Sequence, residues 1–153
     1  MTDASTIVCP HCGASNRVPA ERPALQAKCG GCHAALFNAH PLAVDEAGFE
    51  WHLRNDSIPL LLDVWAPWCA PCRSMAPAFE RAAAILEPQF RLLKLNADEA
   101  PLVSAKLGVR GIPALFLFHG GRTVAQTAGA RDANAIIGWA RDSLAAAPAS
   151  GRP

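Results

Sequence analysis

Three Cys-x-x-Cys pairs account for all six cysteines of the chain, and their settings suggest two different chemistries. Cys9, Cys12, Cys29 and Cys32 form a C-x2-C-x16-C-x2-C array, the spacing with which four thiolates close around one zinc ion. Gly13 follows the first pair and Gly30–Gly31 fill the second, where a tight turn must bring backbone amides toward sulfur. Two disulfides or an iron–sulfur cluster are the alternatives. His11 and His33 adjoin the pairs and are alternative ligands, read more simply as surface residues because four thiolates already complete a tetrahedral shell. Cys69 and Cys72 stand instead where an apolar run, "IPLLLDVWA", gives way to a helix-forming stretch. At a helix start, unpaired amides and the helix dipole stabilise a thiolate. Cys69 is therefore read as the attacking nucleophile and Cys72, one turn further in, as the resolving thiol.

The residues around this third pair extend the reading. Pro71 suits a first helical turn, where its missing N–H has no partner to lose. Trp68, large and next to the nucleophile, suits a docking surface. Asp63 lies in an apolar strand, where ionisation is costly and the pKa should rise. From there it can exchange a proton with Cys72, although a strand-end carboxylate pointing to solvent is the plainer alternative. Lys94, in "LLKLN", is a candidate partner for Asp63 or an ordinary snorkelling lysine.

The elements that must position these groups are legible from residue 42 onward. "PLAVD", "IPLLLDVWA", "FRLLKLNAD" and two strands around Gly120–Gly121 alternate with helical patterns at "EAGFEWHLRN", Cys69–Leu86, "APLVSAKLGV" and "DANAIIGWARDSLAAA". Pro77 is expected to kink the second helix. The order β-α-β-α-β-α-β-β-α predicts an α/β domain with the sheet inside and helices on both faces. Residues 1–36 hold four cysteines, three prolines and three glycines and show no sustained apolar period, so they are not expected to form regular packed elements. So short a segment needs a staple, and zinc binding worth roughly 10–16 kcal/mol supplies one.

Apolar residues make up 51% of the 153-residue chain, and fourteen Lys and Arg face thirteen Asp and Glu, for a net charge of +1. This balance argues against nucleic acid as a partner. No segment reaches the roughly 18 apolar residues of a membrane span. "MTDASTIVCPHC" lacks a basic cluster and an apolar core, so no secretory signal is read there and a cytoplasmic location is expected. There, cysteines serve as thiols, metal ligands or catalytic groups.

Together, "DVWAPWCAPC" and "VRGIPALFLFHGG" resemble the thioredoxin family over about residues 42–147. With "CPHCGASNRVPAER" and "KCGGC" in front, the whole chain is similar to the bacterial thioredoxin 2 type, which carries an N-terminal zinc ribbon. The resemblance implies a thioredoxin fold, a central mixed β-sheet flanked by helices, over 42–147, a ribbon over 1–36 and a loose tail over 148–153. Carried over by position, Asp63 is the buried acid, Trp65 and Trp68 the active-site tryptophans, Cys69 and Cys72 the redox pair, and Lys94 the lysine near the acid. Pro113 falls at the cis-proline facing the disulfide, and Gly111–Ile112 and Gly129–Ala130 line the substrate groove. Ala70 stands where the family usually has Gly, a change that bears on redox potential. The implied activity is that of a general protein-disulfide reductase, monomeric, without a tightly bound organic cofactor, acting on disulfide-containing proteins and re-reduced by thioredoxin reductase. The alternative is an oxidant-sensing ribbon that releases zinc and changes partners.

Overall fold

The computed structural model describes residues 4–148; of the expected tail, residues 149–153 lie outside them. Two sheets are present among these residues. Against expectation, the ribbon has regular structure of its own. Strands β1 (Ala4–Val8) and β2 (Ser15–Pro19) pair antiparallel around the first cysteine turn, and Lys28 bridges Ala35 around the second. The strands are too short and polar to show a period; Ile7, Val8 and Val18 are their buried residues.

The larger sheet has the order β3-β5-β4-β6-β7, with β3 (Leu42–Val44), β4 (Leu60–Trp65), β5 (Arg91–Asn96), β6 (Ala114–His119) and β7 (Arg122–Ala128). The first three run parallel and β6 and β7 antiparallel to their neighbours. Helices α1 (Glu46–Asn55), α2 (Ala70–Leu86), α3 (Pro101–Leu107) and α4 (Ala133–Ala146) connect and cover them.

Local chemistry sets the boundaries. Asp45 and Asp132 cap α1 and α4 by accepting from the amides of Gly48 at 2.7 Å and Ala135 at 2.8 Å. Pro101 opens α3, and Gly108, at φ 70°, closes it in the left-handed region. Gly120 and Gly121, both at positive φ, form the two-residue turn between β6 and β7. Helix α2 runs through Pro77 from Ala70 to Leu86.

Strand alternation sorts the core into two layers. Leu61, Leu92, Leu115 and Leu117 pack with Met75, Phe79 and Leu86 of α2 and Ile136 of α4. Leu60, Leu62, Val64, Leu93, Leu95, Phe116 and Phe118 pack on the other face with Phe49 of α1 and Val103 of α3. A third cluster joins Ile7, Val18, Leu36 and Phe37 of the amino-terminal region to Ile58, just before β4, so the ribbon rests on the larger domain. Thr6 seals that contact, its carbonyl accepting from Ser57 N at 2.9 Å and its amide donating to Ser57 Oγ at 2.8 Å.

Phe79 is fully buried and Ile85, on the same helix, is 56% exposed. Phe79→Ala is expected to lower unfolding stability by about 3–5 kcal/mol and Ile85→Ala by about 0.5 kcal/mol or less. Urea titrations of the two variants check both values.

Candidate redox and metal sites

Strand β4, buried along nearly its whole length, fixes where the chain emerges at Trp65–Ala66. Cys69 is the residue from which α2 starts. It is the N-cap, and its Sγ accepts from Cys72 N at 3.2 Å. The two sulfurs are joined as a disulfide across a Cα–Cα distance of 5.2 Å. Cys69 is 5% exposed and Cys72 2%. Both pack with Ala66, Trp65 and Ile112.

The Ile112–Pro113 peptide is cis, and Ile112 O lies 3.8 Å from Cys69 Sγ. Pro113 O accepts from Gly129 N at 2.9 Å, which brings the loop after β7 alongside. Gly111 borders a depression of about 580 Å³ with Arg110, Thr127 and Ala128. Ala130 borders another of about 320 Å³ with Ser74, Met75 and Arg131. Pro71 is exposed in the first turn of α2, and Trp68 is 68% exposed.

Two residues that sequence reasoning missed hold this rim. Asp98 accepts from Trp68 Nε1 with both carboxylate oxygens at 3.1 Å. Arg131 donates to Thr127 Oγ1 at 2.7 Å and Gly129 O at 3.2 Å. Neither stands in a motif; only the fold brings them there.

Asp63 is 1% exposed. It shares the face of Leu61, the face α2 covers, and pairs in register with Lys94. Its Oδ1 has no hydrogen-bond partner among the described residues. Burial pushes its pKa up to about 7, with the charge of Lys94 offsetting part of the effect. The Lys94 ammonium itself lies over the Trp65 ring, 4.9 Å from the centroid.

The other four cysteines meet in the ribbon, their sulfurs all within 4.8 Å of one another. Cys9 lies 3.6 Å from Cys32, and Cys12 3.6 Å from Cys29. A tetrahedral ion with metal–sulfur bonds of about 2.3 Å needs sulfurs about 3.8 Å apart, so the cluster fits one. The two turns repeat each other. Cys9 N donates to Ala14 O and Cys29 N to Ala34 O, both at 2.8 Å. Gly13 and His33, each following its pair, take positive φ of 79° and 66°. Amides of His11 and Gly31 point at Cys9 Sγ and Cys29 Sγ at 3.3 Å. The left-handed position in the second turn thus belongs to His33 rather than to Gly30 or Gly31. Hydrogen bonding from Cys32, Asn16 and Gly31 lowers the Cys29 thiol to about 6. Asn16, also missed by sequence reasoning, ties the turns together, donating to Ala14 O at 3.1 Å and accepting from Gly30 N at 2.9 Å. His11 and His33 are exposed and outside the cluster.

Comparison with known proteins agrees with this geometry. A family model described as Thioredoxin matches residues 40–142, and one described as Thioredoxin 2, N-terminal, a zinc-ribbon family, matches 8–34. Thioredoxin C-3 of Corynebacterium nephridii is 38% identical over 138 residues, which cover 90% of this chain and 94% of that protein. A thioredoxin of Rickettsia bellii is 35% identical over 101 residues, 66% of this chain and 96% of that one. Among solved structures, a mutant thioredoxin from Halobacterium salinarum superposes with a TM-score of 0.64 at 26% identity, covering 73% of this chain and 97% of that one. Chloroplastic thioredoxin z, at 23% identity and a TM-score of 0.63 over 69% of this chain and 96% of that one, shares the fold.

Sheet order, helix-capping cysteine pair and family match define a thiol–disulfide oxidoreductase. The chain belongs to the thioredoxin family and carries in front the ribbon domain of thioredoxin 2. No helix among the described residues is long and apolar enough to cross a membrane.

Between pH 4 and 7 the folded protein retains a proton at Asp63 that the unfolded chain has released, so stability falls as pH rises through that window. The loss amounts to on the order of 4 kcal/mol. Asp63→Asn is expected to flatten this dependence, raising stability at pH 8 and changing it little at pH 4. Denaturant titrations of both proteins across pH check the sign.

Proposed function

We propose that the protein is a general protein-disulfide reductase whose redox pair is Cys69 and Cys72. Cys69 thiolate attacks one sulfur of a substrate disulfide. A mixed disulfide forms, and the other substrate sulfur leaves as a thiolate that takes a proton. Cys72, deprotonated, then attacks Cys69 Sγ, the second substrate thiolate leaves, and the Cys69–Cys72 disulfide remains. The substrate has gained two electrons and the protein has lost two. The observation that carries this reading is Cys69 at the N-cap of α2, its sulfur on the Cys72 amide, where a thiolate is stabilised.

Asp63, poised near neutrality, accepts the Cys72 proton, directly or through water, and Lys94 tunes it by charge. Trp68, Pro71, Gly111, Ile112, Gly129 and Ala130 form the surface on which an extended substrate segment lies, and the backbone beside cis-Pro113 is the edge it pairs with. A flavin-containing, NADPH-dependent thioredoxin reductase returns the electrons. In this reading the protein is a cytoplasmic monomer, with a ribbon over 1–36, a redox domain over 42–147 and a tail over 148–153. Cys9, Cys12, Cys29 and Cys32 hold one zinc ion, which cross-links the ribbon. The exposure of Cys12 and Cys32 favours one addition, loss of that zinc on oxidation with a change of partners. Zinc release by peroxide that alters partner binding would support it.

Against a disulfide-bonded protein substrate, Cys69→Ser is expected to show neither turnover nor adduct, and Cys72→Ser to accumulate a mixed disulfide at Cys69. An adduct mapped to Cys72, or sustained turnover by Cys72→Ser, would overturn the assignment. Asp63→Asn should slow resolution of the mixed disulfide at pH 7 by about 100-fold; stopped-flow kinetics measure it.

A further inference from the structure

Arg91 opens β5 and is 1% exposed, the bulkiest of the fully buried side chains. Its Nη2 donates to Val8 O at 3.0 Å and to Leu36 O at 2.8 Å. The guanidinium carbon sits 4.5 Å from the centroid of the Phe37 ring, and Nη1 lies 3.7 Å from Glu87 Oε2. Two more carboxylate contacts complete the joint. Asp56 Oδ1 accepts from Val8 N at 2.8 Å, and its Oδ2 meets buried His52. Glu87 Oε1 accepts from Ala39 N at 2.8 Å.

Both main-chain polar groups of Val8 therefore end on side chains of the larger domain. Val8 immediately precedes Cys9. Leu36 follows the second turn, and its amide donates to Ala27 O at 3.1 Å, two residues before Cys29. One guanidinium thus holds the entry to the first cysteine turn and the exit from the second.

We propose that Arg91 is a positioning residue for the ribbon's metal site. By bonding Val8 and Leu36 it sets the two cysteine turns at metal-binding distance, so the ribbon retains its ion only while docked on the redox domain. This rests on the reading of the four cysteines as metal ligands.

The test uses the full chain loaded with zinc. Removing Arg91 alone would strand Glu87 as a buried charge, which is destabilising in itself. The comparison is therefore between Glu87→Gln and the double variant Glu87→Gln/Arg91→Met, with Arg91→Lys as the conservative replacement and Arg22→Met, at an exposed ribbon position, as control. Zinc transfer to a chromophoric chelator reads the affinity of each. The double variant is expected to bind zinc about 10- to 100-fold more weakly than Glu87→Gln, Arg91→Lys to fall between it and the wild type, and Arg22→Met to match the wild type. The cobalt-substituted double variant should lose tetrahedral absorption at metal concentrations that saturate the wild type. Metal-free Glu87→Gln and the double variant should melt within a few degrees of each other. Equal zinc affinity in the two would overturn the proposal. So would a collapse of the metal-free double variant, since Arg91 would then act through overall stability. A wild-type protein that binds no zinc or cobalt would overturn the metal reading itself, an outcome distinct from either.

Discussion

Two charged side chains are buried on the sheet, and the manner in which each is accommodated organises the molecule. Asp63 and Arg91 sit on neighbouring parallel strands, Asp63 near the carboxyl end of β4 and Arg91 at the amino end of β5. Asp63 has an oxygen without a partner and a pKa raised to about 7. Arg91 leaves its Nε without a partner but has two carbonyls, an aromatic face and a carboxylate around its guanidinium head. A buried group left wanting a partner is unstable in its charged form, which suits it to proton transfer. A buried group given partners from another segment holds that segment in place.

The strand direction keeps these two sites apart. Arg91 is in register with Leu60, and Asn96 with Trp65, so five strand steps of about 3.3 Å, roughly 16 Å, separate the ribbon joint from the level of the disulfide. The joint made by Arg91, Asp56 and Ser57 lies at the amino end of β4 and β5, away from the emergence of α2. The Trp68 rim stays exposed.

Much of the larger domain was readable from periodicity because each element carries a strong local signal. The β4 run is apolar except for Asp63, as a strand covered on both faces should be, and Asp132, Pro101 and the Gly120–Gly121 turn mark ends that the structure keeps. The ribbon hairpin was not readable. In "ASTIV" and "SNRVP" three side chains, Ile7, Val8 and Val18, are buried, two of them consecutive, and the hairpin is defined by the cysteine turn it flanks. Asp98, Arg131 and Asn16 escaped notice for a different reason, since their partners lie in other loops. Arg91 is the instructive omission. It breaks an apolar strand much as Asp63 does, yet lies at the strand's first position, where an arginine reads as solvent-facing until another domain covers it.

The three Cys-x-x-Cys pairs show why spacing alone does not assign chemistry. In each, an amide of the pair's own turn approaches the first sulfur. The difference lies in the residue after the second cysteine. Gly13 and His33 take left-handed φ, reversing the chain so that the next amides turn back and each sulfur faces the opposite pair. The amide after the second cysteine donates to the first cysteine's carbonyl in all three turns, but Arg73 continues into α2, so Cys69 and Cys72 stay one turn apart on a single helix with each other as nearest sulfur. A reversal requires a second pair to complete a shell, and that pair must be held in register from outside a ribbon too small to hold it alone. A helix requires nothing beyond its own first turn. The redox pair is thus built from one strand–helix junction, whereas the metal site draws on two turns and on the sheet that Arg91 brings to them.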